Sequence, residues 1–220
     1  MWAMVRGVLI EGNNNNLGAI ILKGYFWTDE NGIKHPLTIF RTAFTPIPGS
    51  DNSCYSSLLK KGNVKHVINL YDGEMNLNDL VKGEQMRAGE FNASYSRTAE
   101  ADYGKWRDML RKYEKGSPEW IEASKNVGRL IREQILKPQG NIPRGNILIH
   151  CGGGMHRTGM IIGILMRIIN KSPRQLIIDT YKYHSGFRNA KNIGGFEQGN
   201  LDFIFSICST FKRFNSPSVL

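Results

Sequence analysis

The chain has 220 residues, of which 40% are hydrophobic and 22% charged, so it can bury a core and is not a disordered segment. Lys and Arg outnumber Asp and Glu by 29 to 19, and the formal net charge of +10 favours an anionic partner. No run of about 18 apolar residues predicts a membrane span, and no signal peptide is indicated. Three widely separated cysteines predict neither a disulfide framework nor a metal site. We expect a cytoplasmic monomer.

The first part of the chain alternates predicted strands and helices. Residues 17–44 predict a β-hairpin, because two β-rich runs flank "DENG" and Asn31-Gly32 is a strong signal for a tight turn. A helix follows in "CYSSLLKKG", with its cap near Ser53, and "VKHVINLYD" is typical of a buried strand. We then expect a helix around residues 76–88 and a strand in "ASYSRTA".

The second part continues the alternation. "SPEWIEASKNVGRLIREQIL" predicts an amphipathic helix with Ser117 as N-cap and Pro118 in the first turn. The remaining elements are a buried strand in "GNILIH" and helices in "RTGMIIGILMRIIN", "SPRQLIIDTYKYH" and "EQGNLDFIFSICSTFKRF". This order predicts an α/β sandwich whose site follows a strand and lies at a helix N-terminus.

Residues 146–169, "NILIHCGGGMHRTGMIIGILMRII", combine a thiol, three glycines and an arginine between a strand and a helix. Gly152, Gly153 and Gly154 allow backbone amides to curve around an anion at the positive end of the helix. Arg157 can close this cradle on a phosphate, and the same charges favour the reactive thiolate of Cys151. The pattern predicts a nucleophile for phosphoryl transfer, with the main-chain groups of the loop, including Met155 and His156, around the phosphate. We expect Thr158 to assist departure of the sulfur and His150 to brace the loop.

The segment "HCGGGMHRT" resembles the H-C-x-x-G-x-x-R-[S/T] motif of cysteine-based protein tyrosine phosphatases. The flanking segments "FRTAFTPIPGSDNSCYSSLLKKGNVKHVINLYDGE" and "YKYHSGFRNAKNIGGFEQGNLDFI" resemble atypical dual-specificity phosphatases, including those that act on inositol pyrophosphates. Phosphatase-like inositol polyphosphatases (phytases) share the loop. The resemblance implies the protein tyrosine phosphatase fold, with a central, mostly parallel sheet of about four or five strands flanked by helices. We expect residues 1–45 to form a hairpin extension packed on the core and residues 46–220 the catalytic domain.

The resemblance also implies a general acid upstream of the cysteine. It favours Asp102 over Glu100 in "YSRTAEADYGKW", with Asp72 as a third candidate; the Trp-Pro-Asp form of this loop is absent. A glutamine near Gln198 orients water in relatives. Candidate substrate contacts outside the loop are basic: Arg41, Lys105, Arg188 and Lys191. Of these, Arg41 is also a candidate to brace the site from the hairpin side.

Together these features predict a phosphatase that needs no metal or other cofactor. The net charge and the resemblance favour an inositol polyphosphate as substrate, a phosphotyrosine protein being the alternative. RNA 5′-triphosphate is a weaker alternative because no aromatic stacking platform is apparent, and we expect no nucleic-acid partner. The alternative outside enzymes is a phosphate-binding pseudo-phosphatase.

Overall fold

A computed structural model describes residues 16–43, 54–71, 78–98, 103, 106–112, 114–137, 144–187, 190–191 and 193–207. The strands are β1 (Gly18–Thr28), β2 (Lys34–Ala43), β3 (Val64–Asn69), β4 (Ser94–Arg97) and β5 (Asn146–Cys151). The helices are α1 (Cys54–Lys61), α2 (Asn78–Glu90), α3 (Trp106–Lys112), α4 (Pro118–Ile131), α5 (His156–Ile168), α6 (Arg174–His184) and α7 (Gly195–Ser206), and a π-helical turn, Arg132–Leu136, continues α4. The predicted cap at Ser53 and the end of the last predicted helix, from residue 208 onward, lie outside the described residues.

The strands form one sheet in the order β1-β2-β5-β3-β4. β1 and β2 are antiparallel, whereas β2, β5, β3 and β4 are parallel neighbours. The predicted α/β fold with a mostly parallel sheet and an N-terminal hairpin is confirmed. Because β2 is hydrogen-bonded to β5 along Ile39–Ala43, the hairpin is part of this sheet. The domain division at residue 45 stays a prediction.

The hairpin turn forms where the sequence predicts it. Gly32 has a φ of +78°, a left-handed conformation that glycine adopts without a Cβ penalty. The Asp29 carboxylate accepts hydrogen bonds from the backbone amides of Asn31 and Ile33, each at 2.9 Å. In β1 the pairing shifts between Ile21 and Phe26, on either side of Gly24, which also has a positive φ. Local turn chemistry thus explains both irregularities of the hairpin.

Side chains alternate across the sheet and separate two apolar layers. Ile147, Ile149 and Cys151 of β5 lie in the larger cluster, with α4, α5 and α7. Leu148 lies in the smaller cluster on the other face, with α1 and α2. All residues of β5 are buried, as expected for a central strand covered on both faces.

The helix caps agree in part with the sequence. The Ser117 side chain accepts a hydrogen bond from the Trp120 amide at 3.2 Å, which confirms it as the N-cap of α4. At α6 the cap position is Pro173, and no side chain caps this helix. Among the described helices, none has the length and apolar character needed to cross a bilayer.

Candidate active site

The parallel strands bring several chain segments to one edge of the sheet. Cys151 is the last residue of β5, where it pairs with Ala43 of β2, and the preceding His150 pairs with Asn69 at the end of β3. Since parallel strands end at the same edge, the loop after β5 begins beside the ends of β2 and β3. The sheet therefore places the predicted nucleophile at a carboxyl edge, where α/β proteins bind ligands.

The loop from residue 152 to residue 155 passes close to β2. Gly154 has a φ of +64°, and a Cβ at this position would lie 2.4 Å from the Thr42 carbonyl oxygen and 2.6 Å from the Ala43 nitrogen. Position 154 therefore requires glycine for two reasons: only glycine adopts this φ without strain, and a Cβ would collide with backbone atoms that cannot move aside as a flexible side chain could. Around Gly152, by contrast, a Cβ would meet nothing within 4 Å. The glycine-rich loop was predicted, and its close approach to the hairpin is the geometric reason for one of the glycines.

Helix α5 begins at His156 and buries the two predicted partners of the cysteine in its first turn. Arg157 is 4% exposed, and its guanidinium carbon lies 5.8 Å from the ring centroid of Tyr71, just after β3. Thr158 is fully buried, and its hydroxyl oxygen has no hydrogen-bond partner among the described residues. Cys151 is itself 3% exposed. The thiol, the guanidinium and the hydroxyl are thus held by adjacent parts of one strand–loop–helix unit.

Arg41 lies beneath the loop and not on the protein surface. It is 2% exposed, and its Nη2 donates to the carbonyl oxygen of Gly154. Burial lowers the pKa of Arg41 to about 10, although its attraction to Cys151 and Tyr181 opposes this effect. Arg41 therefore stays positively charged at neutral pH. The structure brings it to the site, as the sequence predicts, but as a neighbour of the loop backbone.

His150 extends from the opposite face of the sheet to Cys151. Its Nε2 lies 3.0 Å from Oε2 of Glu84 on α2, and both side chains are buried. The same carboxylate oxygen accepts a hydrogen bond from the Tyr95 hydroxyl at 2.6 Å, and Tyr95 in turn accepts one from Asn69. The pKa values of the Tyr95 and Tyr55 hydroxyls lie well above the usual range for tyrosine. Burial is the larger cause, and the nearby charge of Glu84 is the second. Glu84 does not stand out in the sequence, because strand alternation places His150 on the face opposite Cys151 but does not show which helix covers that face.

The side of the loop next to α7 carries a second polar group. His156 Nε2 lies 3.5 Å from Oε1 of Glu197, and its ring meets Phe196 edge to face at 4.6 Å between centroids. Behind them, Asn200 donates to the Tyr181 hydroxyl at 2.7 Å, and burial is the main cause that raises the pKa of Tyr181 to about 12. Tyr181 is therefore neutral at physiological pH.

A cleft of about 320 Å³ adjoins this side of the loop. Phe196, which contacts His156, lines it, and the Arg107 guanidinium lies 5.6 Å from the Phe196 ring centroid. Lys115 contributes a second cation, and Trp120 and Phe203 supply apolar walls. The cleft thus carries two cations and the carboxylate of Asp202, and Phe196 connects it to His156 of the loop. Arg107 and Lys115 did not stand out in the sequence, where the basic residues are scattered.

Several predicted residues have other placements. Gln198 is exposed on α7 and donates to Asp202 at 2.8 Å, a placement that favours a surface role over the predicted orientation of water. Lys191 is exposed. The other predicted contacts and acids lie outside the described residues: Asp72, Glu100, Asp102, Lys105 and Arg188. Within the described ranges, no three His, Cys, Asp or Glu side chains are grouped so that they could hold a metal ion.

Tyr103, the residue that follows the candidate acid Asp102 in the sequence, is held by several side chains. It is 5% exposed and receives a hydrogen bond from Gln134 at 3.0 Å, while its hydroxyl lies 3.2 Å from Glu133. The Arg129 guanidinium carbon lies 5.1 Å from its ring centroid. The residue next to Asp102 is thus anchored on α4 and its π-helical continuation.

The chain is similar to a known protein family and to several solved structures. A family model described as "Tyrosine phosphatase family" matches residues 48–193, well over half of the chain. Among solved structures, the core catalytic domain of the PP-IP phosphatase SIW14 from S. cerevisiae is similar, with 20% identity, a TM-score of 0.48, and coverage of 82% of this chain and 87% of that one. TpbA from P. aeruginosa is 12% identical, with a TM-score of 0.43 and coverage of 88% and 98%. No curated protein sequence matches significantly. The match over residues 48–193 shows that this chain belongs to the tyrosine phosphatase family, as a cysteine-dependent phosphatase.

Proposed function

We propose that the protein hydrolyses phosphomonoesters through a cysteinyl-phosphate intermediate, without a metal ion. The observation that carries this proposal is the placement of Cys151 at the end of β5, with Arg157 and Thr158 buried in the first turn of α5. In the first step the thiolate sulfur attacks phosphorus and the bond from phosphorus to the ester oxygen breaks. The leaving oxygen takes a proton from the general acid, for which we propose Asp102.

In the second step water attacks the phosphorus, the bond from phosphorus to sulfur breaks, and inorganic phosphate leaves. The proton from water passes to the carboxylate that served as the acid, so the enzyme returns to its starting state. Arg157 and the loop amides stabilise the charge on the equatorial phosphate oxygens in both steps. The Thr158 hydroxyl, which has no hydrogen-bond partner within the described ranges, can donate to the departing thiolate.

We propose inositol polyphosphates as the preferred substrate class. The formal net charge of +10 attracts polyanions, and the cleft that shares Phe196 with the loop is lined by Arg107 and Lys115 together with one carboxylate, Asp202. A second phosphate on the same ring could use these cations while the first occupies the loop. The alternative is a phosphotyrosine protein, because residues 152–155 (Gly-Gly-Gly-Met) bring no charged side chain to the loop and suit a substrate with one phosphate.

The test is phosphate release from a panel of inositol phosphates and phosphotyrosine peptides in the presence of a metal chelator. We expect release by the wild type and none by Cys151→Ser. Lys115→Ala should raise KM for inositol hexakisphosphate and leave the KM for a phosphotyrosine peptide unchanged; Lys125→Ala, an exposed lysine on α4 outside the cleft, is the control. The acid assignment predicts that Asp102→Asn removes the basic limb of the pH–rate profile.

Absence of release from every panel member, with Cys151→Ser still binding the same ligands, would contradict catalysis and identify a phosphate-binding protein. Release from phosphotyrosine peptides alone would exclude the inositol polyphosphate proposal. An unchanged pH–rate profile in Asp102→Asn would assign the acid to another carboxylate.

A further inference from the structure

Two consecutive carbonyl groups of the phosphate loop are held from the N-terminal hairpin region. Asn16 Nδ2 donates to the Gly153 carbonyl oxygen at 3.1 Å, and Arg41 Nη2 donates to that of Gly154. Asn16 is itself fixed at the end of α6. Its amide also donates to the His184 carbonyl oxygen at 2.9 Å, and its Oδ1 lies 2.7 Å from His184 Nδ1. Asn16 and Arg41 both precede residue 48, where the match to the family model begins.

Holding a carbonyl also orients the next amide. A trans peptide is planar, and its C=O and N–H point in opposite directions. The described chain has no cis peptide bonds. A donor that binds the Gly153 carbonyl therefore directs the Gly154 N–H away from the hairpin, and a donor on the Gly154 carbonyl does the same for the Met155 N–H. Under the proposed function, the phosphate oxygens are bound on the side of the loop that faces away from the hairpin, and the loop amides must point there.

We propose that Asn16 and Arg41 are positioning residues that orient the Gly154 and Met155 amides for the transition state. The inference rests on the proposed function, because it requires a phosphate in this loop. It goes beyond the role that the sequence predicts for Arg41, which is to contact the substrate or to brace the site from the hairpin side, because it names the two loop amides that are oriented. Arg41 is 2% exposed, and its described hydrogen bond goes to the loop backbone.

The choice of arginine at position 41 fits a role in function more than in stability. Its Nε and Nη1 atoms are buried with no hydrogen-bond partner among the described residues. A buried charge with unsatisfied donors destabilises a fold, so an apolar residue of similar size would serve packing better. The charge of Arg41 interacts with Cys151, which helps to keep the guanidinium charged despite its burial. Arg41 thus spends its described hydrogen bond on the loop backbone.

The test compares Asn16→Ala and Arg41→Met with matched controls. Arg167→Met removes a guanidinium that donates to the Ile204 carbonyl at the far end of α5, and Asn170→Ala removes an asparagine that donates to the Ile21 carbonyl of β1. Kinetics use p-nitrophenyl phosphate, with orthovanadate as a probe of the transition state and inorganic phosphate as a probe of the ground state. Thermal unfolding of each variant reports whether the fold persists.

Direct removal of one oxyanion donor costs about 10²- to 10³-fold in kcat, and loss of its orientation should cost less. We expect kcat to fall by about 10- to 100-fold in Asn16→Ala and Arg41→Met, with KM changed by less than about threefold. Orthovanadate should lose more affinity than phosphate. Arg41→Lys, which keeps the charge, should recover part of kcat. Both control variants should stay within about twofold of the wild type.

Folded variants of Asn16 and Arg41 with wild-type kcat would overturn the inference. A rise in KM without a fall in kcat would also overturn it, because that result indicates direct contact with the substrate. If Arg41→Met does not fold, Asn16→Ala decides, since Asn16 is only half-buried. An inactive wild type would instead contradict the proposed function, which the Cys151→Ser comparison tests separately.

Discussion

Replacing Gly154 by alanine should separate the phosphate loop from β2. A left-handed φ costs a residue with a Cβ roughly 1–2 kcal/mol. The new Cβ would in addition lie 2.4 Å from the Thr42 carbonyl oxygen, and ordinary contact begins near 3.4 Å. The loop or the strand must therefore move by about 1 Å, and a displacement of this size can reduce a rate about 100-fold. We expect Gly154→Ala to lose about 2–4 kcal/mol of unfolding free energy and about 100-fold in kcat.

Gly24→Ala is the matched control for this prediction. Gly24 has a φ of +82°, yet a Cβ there would meet nothing within 4 Å, so this variant carries the conformational cost without the collision. Urea unfolding of both variants and kcat for p-nitrophenyl phosphate provide the measurements. If the two substitutions destabilise the protein equally and Gly154→Ala keeps full activity, the close approach of the loop to β2 is not needed for catalysis.

Two further predictions concern buried groups on the α2 side of the sheet and around β3. Burial lowers the pKa of the His66 imidazole to about 4 in the folded protein, whereas in the unfolded chain its pKa is near 6.5. Because the unfolded chain then binds the proton first, the free energy of unfolding should fall as the pH falls through this range, by about 2 kcal/mol at pH 5. Urea unfolding at pH 7.5 and pH 5 should show this loss in the wild type and a smaller loss in His66→Gln; equal losses would refute the assignment. Glu84→Gln should cost about 1–2 kcal/mol of unfolding free energy, because the Tyr95 hydroxyl loses a charged acceptor and His150 loses its carboxylate neighbour. Tyr95→Phe, which removes only the hydroxyl, is the comparison, and an unchanged urea midpoint in Glu84→Gln would contradict this prediction.

The parts of the molecule that were predictable from sequence are those whose determinants are local. The hairpin turn follows from Asn31-Gly32, because a left-handed residue is needed within a few positions. The thiol, the glycines and Arg157 lie within one strand–loop–helix unit, so their proximity follows from chain connectivity. The N-cap at Ser117 is local for the same reason.

The missed features depend on pairing between distant segments. Arg41 is a sequence candidate for the site, but nothing near it indicates that β2 lies beside β5, so its contact with the Gly154 carbonyl cannot be inferred. Glu84 becomes significant only when α2 packs beneath the face that carries His150. The exposure of Gln198 depends on the rotation of α7 about its axis. Glu197 and Asn200 face inward in this helix, whereas Gln198 points to solvent. Sequence periodicity predicts a helix more readily than its rotation.

The position of β2 in the sheet has a consequence for any fragment of this protein. The segment that matches the family model begins at residue 48, after the hairpin has ended. A fragment that starts there would leave β5 as an edge strand, with one row of its amides and carbonyls unpaired. Exposed, apolar edges of this kind recruit other chains, so such a fragment should self-associate through the strand that carries the nucleophile. The hairpin thereby also protects the protein from aggregation.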